Sequence, residues 1–427
     1  MTSVVYVFTV FSMNKTTLVL SALFSLIGST SLAELKRIPT FSNEVVRIFQ
    51  NHCQTCHRPG GIGEHHLKLM TFQDVKRHAK KIDIQVQSGK MPPWKPEQGC
   101  GDFEGVRRLT EAEKDVIHRW VSSGAPEGNK RDLPRSVEFP RDWILGTPDV
   151  ALASEQPYRI GPNDEDEYRC FVLPYVADKN DYLVGVETKP DQASVTHHTI
   201  VYLDPQGNSL KRLNPNDPQP GYECFGGPGF EGASMLPGWV PGNIPAFTPP
   251  TTGYYVPQGS HIVLQVHYHA DGKPHADRTQ IGLHYAKTPV TKPITVSWVH
   301  DAQNLKIPAG MKDYTIVKEK VLDRDVKLLN VLPHMHLLGR KSKLEAILPD
   351  NTTQCLVNIE DWDFHWQGSY AFKDFVRLPK GTRLRLTGVY DNSEDNPNQM
   401  FHPPKEIRWG DRTVDEMFIT FFNWIQD

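Results

Sequence analysis

From about residue 142 to the C terminus, short alternating runs of apolar and polar residues are separated by Gly, Pro, Asn and Asp turns. The runs that begin at Tyr182, Ile262, Val326 and Arg383 are examples. Alternation with a period of two is typical of β-strands, and helical periodicity is almost absent here. We therefore predict antiparallel β-sandwich or jelly-roll structure. The region is long enough for two such units, and we expect them at 142–290 and 291–427.

The segment that precedes this region carries a motif with specific chemistry. Cys53, Cys56 and His57 form the pattern C-x-x-C-H, which is typical of covalent c-type haem attachment. The two thiols form thioethers with the haem, and the adjacent histidine supplies a proximal imidazole. A structural zinc site or a thioredoxin-like pair is the competing interpretation, but neither accounts for a histidine directly after the second cysteine.

The second axial haem ligand is expected from a later loop. Met91, in Met-Pro-Pro-Trp, offers a thioether on a stiff turn, and Met/His ligation raises the haem potential. Met70 and the pair His65 and His66 are alternatives. The two histidines, however, lie close in sequence to the attachment motif.

Two helices are predicted around this motif, one beginning near Ser42 and a capped amphipathic one from Thr110 to Gly124. The segment resembles a small cytochrome c. We therefore predict a small all-α cytochrome c domain at 36–128, followed by a linker at 129–141 that is rich in proline and charge.

The N terminus predicts export. Lys15 to Ala33 has a basic start, an apolar run and a small-residue cleavage site, so residues 1–33 are expected to be a signal peptide. An uncleaved anchor is the alternative, but the run is short for a membrane span and no later run is long enough. We expect a periplasmic or secreted protein without stable membrane insertion after cleavage. An oxidising compartment allows some of the six cysteines to pair.

Charge excludes one class of partner. The formal net charge is −3, and the sequence has no basic run, so nucleic acid is not an expected partner.

The first half of the β-rich region contains one group of candidate metal ligands. His197 and His198 are adjacent, and His267 follows in Leu-Gln-Val-His-Tyr. Adjacent side chains on a regular strand point to opposite faces, so His197 and His198 can share a metal only where the strand bends or bulges. His269 shares a strand face with His267.

The second half contains another group. His334 and His336 can leave the same face of an extended strand while Met335 points away. Met417 adds a thioether, and a soft thioether beside imidazoles favours copper over zinc, magnesium or calcium. The sequence therefore predicts two copper sites, one of three histidines and one of two histidines with a methionine.

The region from about 140 to 427 resembles the copper type II, ascorbate-dependent monooxygenases, the family of peptidylglycine α-hydroxylating monooxygenase and dopamine β-monooxygenase. The resemblance rests on four motifs in the family's order. They are the His-His pair at 197 and 198, Leu-Gln-Val-His-Tyr at 264–268, His-Met-His-Leu-Leu-Gly-Arg at 334–340, and Asp-Glu-Met at 415–417.

This resemblance implies two consecutive eight-stranded antiparallel jelly rolls, each with one copper facing a cleft. It assigns His197, His198 and His267 to the electron-transfer copper. It assigns His334, His336 and Met417 to the copper that binds O2 and abstracts hydrogen from the substrate. Cys170 and Cys224 fit positions at which the family has a disulfide, whereas Cys100 and Cys355 have no assigned partners.

The implied activity is O2-dependent hydroxylation of an aliphatic C–H bond in a small-molecule substrate. Ascorbate or a redox protein would be the external donor, and we expect its electrons to pass through the haem to the His197, His198 and His267 site. The residues that hold a peptide carboxylate in the amidating branch correspond to Leu332, Ile419 and Phe421, so we expect a neutral or apolar substrate.

Four aromatic residues are candidates for the substrate pocket, although each could equally be core: Phe418, Phe421, Phe422 and Trp424.

Two other functions remain as alternatives. A non-catalytic exported electron carrier or copper-handling protein would use the same haem and copper ligands. A haem c–copper nitrite reductase would need a cysteine-ligated copper site, and no cysteine lies at a suitable spacing from His and Met.

Overall fold

The computed structural model describes residues 37–64, 66–140, 142–162 and 166–427. The expected signal peptide at 1–33 and the alternative ligand His65 lie outside the described residues. Residues Pro39–Asp427 form one compact unit. No helix in the described part of the chain is both long enough and apolar enough to cross a membrane.

Short helices occupy the N-terminal part of this unit. Thr71 with Asp74 and Thr110 with Glu113 form capping boxes that satisfy the first free backbone N–H groups of two of them. The helices bury their apolar faces in a hydrophobic cluster that includes the fully buried Trp120. Their bounds are a π-helical turn at Phe41–Val45, α1 at Val46–His52, α2 at Phe72–Arg77, α3 at Ala79–Gln87, α4 at Glu111–Ser122 and a 3-10 turn at Lys130–Asp132.

Twelve strands and one 3-10 turn follow between residues 150 and 293. They are β1 (Val150–Ala153), β2 (Tyr158–Ile160), β3 (Glu167–Val176), β4 (Asp181–Lys189), β5 (Thr196–Asp204), the 3-10 turn (Asn208–Arg212), β6 (Tyr222–Glu223), β7 (Ser234–Trp239), β8 (Thr252–Val256), β9 (His261–Tyr268), β10 (His275–Asp277), β11 (Gln280–Tyr285) and β12 (Lys292–Pro293). Two five-stranded sheets have the orders β1-β11-β4-β8-β12 and β6-β3-β9-β5-β7, and β10 pairs with β2. The apolar residues of both large sheets meet in one hydrophobic cluster.

Ten strands form the remaining part of the chain. They are β13 (Thr295–His300), β14 (Lys306–Ile307), β15 (Tyr314–Val321), β16 (Val326–His334), β17 (Gly339–Ile347), β18 (Thr353–Ile359), β19 (Tyr370–Leu378), β20 (Arg383–Tyr390), β21 (Ile407–Arg408) and β22 (Ile419–Gln426). Two four-stranded sheets have the orders β13-β22-β16-β19 and β15-β20-β17-β18, and β14 pairs with β21. Another hydrophobic cluster fills the space between them.

The predicted fold class, an all-α cytochrome c domain followed by two jelly-roll domains, is wrong. The protein is mostly β, with 36% strand and 12% helix in a four-blade arrangement of its large sheets, and the described residues form no separate helical cytochrome domain. The physical reason lies in apolar contacts that cross the expected boundaries. Phe103 belongs to the core of β13–β22, while Leu329 and Ile425 belong to the core of β1–β12. The residue positions at which we expect one domain to end and the next to begin remain predictions.

The segment from residue 91 to 107 is fastened to β18 and β19. Phe103 forms a β-bridge with Phe372, and their rings stack 5.1 Å apart. The backbone N–H of Glu97 donates to the carbonyl of Asn358 over 2.7 Å. Trp94 packs edge-on against Tyr370 at 5.3 Å. These contacts fix the position of the loop that carries Met91.

Two disulfides stabilise the described chain. Cys170 pairs with Cys224, as the family resemblance implied, and Cys100 pairs with Cys355 across 255 residues of sequence. The second bond ties the 91–107 segment covalently to β18. Disulfides of this kind are typical of an oxidising compartment.

Candidate functional site: two histidine clusters and a C-x-x-C-H motif

The first histidine cluster forms where β5 pairs with β9. The pairing shifts register between Thr196 and His198, so the strand is irregular at the adjacent histidines. This bulge lets His197 and His198 point towards His267, and the three residues offer nitrogen atoms that all lie within 4.8 Å of one another. Nδ1 of His198 is 3.2 Å from Nδ1 of His197 and 3.4 Å from Nδ1 of His267. The spacing suits three imidazoles around one metal ion.

Burial keeps these imidazoles unprotonated. It lowers the pKa of His197 to about 3 and that of His198 well below its ordinary value, and neighbouring imidazoles add to both shifts. Burial also lowers the pKa of His267, although Asp166 opposes that shift. A neutral imidazole keeps a lone pair for a metal, so the cluster is ready to coordinate one without losing protons first.

Asp166 orients His267 from behind. Its carboxylate accepts the Nε2–H of His267 at 3.0 Å, and it also accepts the backbone N–H and the hydroxyl of Thr413 at 2.8 Å each. Burial opposes the charge on Asp166, but these hydrogen bonds hold its pKa well below the usual range. A carboxylate behind a ligating histidine is the usual outer partner in metal sites. His269 is 64% exposed and lies outside the cluster.

The second histidine pair lies at the end of β16. The strand ends at His334, and His336 stands in the loop just beyond it, with the two ring centroids 5.1 Å apart. Met335 is buried in the core on the opposite side, as expected. The Nδ1–H of His334 donates to Oε1 of Gln367, and that of His336 donates to the carbonyl of Asp415 over 3.0 Å. These bonds leave both Nε2 atoms as free ligands.

Glu416 joins this pair to the segment just before β22 that carries Met417. Its buried carboxylate accepts the backbone N–H groups of His336 at 2.8 Å, Leu338 at 2.6 Å and Met417 at 3.2 Å. Burial raises the pKa of Glu416 to about 8, against the effect of these donors. Because one side chain holds both backbone segments, the methionine is kept next to the histidines.

The C-x-x-C-H motif follows directly after α1. Cys53 and Cys56 are the free cysteines of the described residues. The Nδ1–H of His57 donates to the carbonyl of Leu67 over 2.8 Å, which leaves Nε2 for a ligand. A Cβ at Gly63 would lie 2.6 Å from the His57 ring, so only glycine allows this approach. Burial raises the pKa of the Cys53 thiol to about 12.

One cavity of about 1540 Å³ connects most of these residues. It exceeds the roughly 300–1,000 Å³ of an ordinary ligand pocket, so it has room for more than one group. Ligand-type residues on its walls include both cysteines and His57 of the motif, Met91, His197, His198, His334, His336 and Met417.

The predicted substrate residues divide between this cavity and the core. Leu332 pairs with Phe421 between β16 and β22, and both line the cavity together with Ile419 and Phe422. Phe418 is buried in the core instead. A further predicted residue, Trp424, donates its indole N–H to the hydroxyl of Ser297 and does not line the cavity.

Four residues that the sequence interpretation did not assign also belong to the site. Asp166 and Gln367 hold predicted ligands by hydrogen bonds, and the ring of Phe364 stacks on His197. Burial raises the pKa of Cys56, and the Arg107 guanidinium offsets part of that rise. Asp166 and Gln367 are 101 and 33 positions away from the histidines that they contact. No local pattern could have identified them.

No family model matches the chain, and no curated protein matches it. Among solved structures, two crystal forms of PNGF-II are 10% and 8% identical over 66% and 65% of this chain, with TM-scores of 0.27 and 0.28. The matches span 67% and 65% of those chains, about two thirds of their length. An allantoicase is 14% identical over 53% of this chain and 76% of its own, with a TM-score of 0.16. Similarity this low carries no argument about fold or function.

Proposed function

We propose that this chain is an exported, copper-dependent monooxygenase that hydroxylates an aliphatic C–H bond of a small neutral or apolar molecule. One observation carries the proposal. Imidazoles of two clusters, Met417 and the C-x-x-C-H motif all line one cavity. This arrangement adds to the resemblance of its motifs to the copper type II, ascorbate-dependent monooxygenases.

The donor sets fit two copper ions and one haem c. Three neutral imidazoles suit a copper that exchanges electrons, and two imidazoles with a weak thioether leave a position open for O2. When bound, the coppers would supply one-electron transfer and O2 reduction, and the haem would supply electrons from ascorbate or a redox protein. The reaction takes O2, two electrons, two protons and the substrate C–H, and it yields an alcohol and water.

The residues of the chain contribute orientation of the imidazoles and an uncharged lining. Asp166, Gln367 and the Asp415 carbonyl each hold one imidazole by its N–H, so the other nitrogen points to its metal position. The apolar pair Leu332 and Phe421 offers no charge to a carboxylate, which favours a neutral substrate.

Substrate-dependent O2 consumption tests the activity. Copper-loaded protein with a donor is expected to consume O2 only when a small neutral substrate is present, and His336→Ala should remove that consumption. His402→Ala, at an exposed histidine bonded to Glu394, is the matched control and should behave as the unmodified chain. Full copper loading without substrate-dependent O2 consumption would instead favour a non-catalytic electron carrier. A C-terminal glycyl peptide as the best substrate would contradict the proposed pocket.

The haem relay has its own test. Haem reduced under anaerobic conditions is expected to reoxidise quickly when O2 and substrate are added, and slowly with either alone. The donor-dependent turnover of a His57→Ala variant should fall at least tenfold. Full turnover of that variant with the physiological donor would contradict the relay.

A further inference from the structure

The loop between β18 and β19 contacts both histidine clusters. The indole N–H of Trp362 donates to the carbonyl of His336 over 3.1 Å. Gln367 accepts from His334 through Oε1, and its Nε2–H donates to the carbonyl of Phe364 over 3.0 Å. The loop is therefore bonded to both members of the second pair.

Phe364 extends this contact to the first cluster. Its ring stacks on His197 with centroids 4.8 Å apart and planes at 22°, and it meets His336 edge-on at 5.7 Å and 74°. The side chain is only 7% exposed. Among the aromatic contacts of the described residues, no other phenylalanine, tyrosine or tryptophan ring touches both clusters. Offset-stacked and edge-on contacts are the arrangements that aromatic rings prefer.

The protein itself holds the ring in place. Lys95 forms ion pairs with Asp361 at 2.9 Å and Asp363 at 3.8 Å, which tie the loop to the 91–107 segment. Inside the loop, the backbone N–H of Trp366 donates to the backbone carbonyl of Asp363 over 3.0 Å. The ring position thus follows from contacts that need no metal.

We propose that Phe364 is a positioning residue that sets the separation of the two histidine clusters. It acts as a spacer whose face fixes His197 and whose edge fixes His336. The proposal rests on the proposed function, because the separation matters for electron transfer between two metal centres. A branched aliphatic side chain would fill similar space but would lose the flat contact with His197.

The test uses the full chain loaded with Cu(II), with Phe364→Leu as the variant. Phe375→Leu is the matched control, because Phe375 also lines the cavity but makes no ring contact with either cluster. Copper content and EPR dipolar broadening between the two Cu(II) ions are measured for all three proteins. We expect two coppers in each, with the broadening present in the unmodified chain and the control and lost in Phe364→Leu.

A second readout uses the copper-free protein. The imidazole proton resonances of His197 and His336 should both shift in Phe364→Leu, because the ring current of the phenyl group is removed, and neither should shift in Phe375→Leu. Two coppers with unchanged broadening in Phe364→Leu would overturn the positioning role and leave the proposed function standing. Fewer than two coppers in the unmodified chain would overturn both.

Discussion

Asp166 shows how one side chain can orient a histidine that is a candidate metal ligand. It accepts the Nε2–H of His267 and thereby directs Nδ1 towards His198. Without that acceptor the His267 ring is free to rotate. A bound metal would then have to fix the orientation of the ring. Partners of this kind change metal affinity by about 10–100-fold.

We therefore expect Asp166→Asn to weaken copper binding at the three-histidine site by about 10–100-fold. Titration with a competing chelator measures this affinity. Asp271→Asn is the control, because Asp271 accepts from His275 at 2.8 Å outside both clusters. Unchanged affinity in Asp166→Asn would show that His267 is held by other contacts.

The grouping of His197, His198 and His267 could be predicted from the sequence, and their ring nitrogens do lie together. That they bind copper stays a prediction. The need for a bulge at His197 and His198 also followed from strand geometry, and β5 is irregular there. The partners Asp166 and Gln367 could not be predicted, because their contacts arise from tertiary packing between distant strands and loops.

At the scale of elements, the 91–107 segment is the link between the C-x-x-C-H region and the sheets. Cys100 bonds to Cys355 in β18, and Phe103 enters the core beside β19. Neither contact has a sequence pattern, since a disulfide partner 255 residues away and a single buried phenylalanine leave no local signal. For this reason the alternation of apolar and polar residues predicted the strands, but it could not predict how the helical region is attached to the sheets.

The long loop that the Cys100–Cys355 bond closes predicts a large stabilising effect. Replacing both cysteines with serine should lower the free energy of unfolding by about 3–5 kcal/mol, as measured by guanidinium denaturation. Cys170 and Cys224 are the matched pair, because their loop spans only 54 residues. Their replacement should cost about 1.4 kcal/mol less in the chain-entropy treatment. An equal or smaller loss for Cys100 and Cys355 would contradict this account.

At the scale of the whole molecule, buried imidazoles make the copper-free protein sensitive to acid. Burial lowers the pKa of His334 to about 4 and that of His336 to about 3, whereas the unfolded chain protonates these residues near 6.5. The unfolded state therefore binds more protons between these values. Their contribution to stability is complete above pH 6.5 and is lost as the pH falls towards 4.

The free energy of unfolding of the copper-free protein should accordingly fall by about 1.4 kcal/mol per buried histidine for each pH unit between 6.5 and about 4. Urea denaturation at several pH values measures this slope. Replacing His336 with Asn should reduce the slope. If the free energy of unfolding of the His336→Asn variant changed with pH as steeply as that of the unmodified chain, burial of His336 would not explain the acid sensitivity.

The expected division into an all-α domain and two jelly rolls failed because local patterns describe elements and not the contacts between them. Apolar residues from one predicted domain complete the core of another, so one compact unit results. The same packing brings the motif at Cys53 and the histidines at 197, 198, 334 and 336 to a single cavity.

Metal analysis combined with EPR and optical spectra of the purified chain tests the central claim most directly. The account predicts two type II copper centres and one covalently attached haem per chain, with His267→Ala and His336→Ala each losing one copper and retaining the haem. Fewer than two coppers in the unmodified chain, zinc in their place, or Cys53 and Cys56 without attached haem would contradict it.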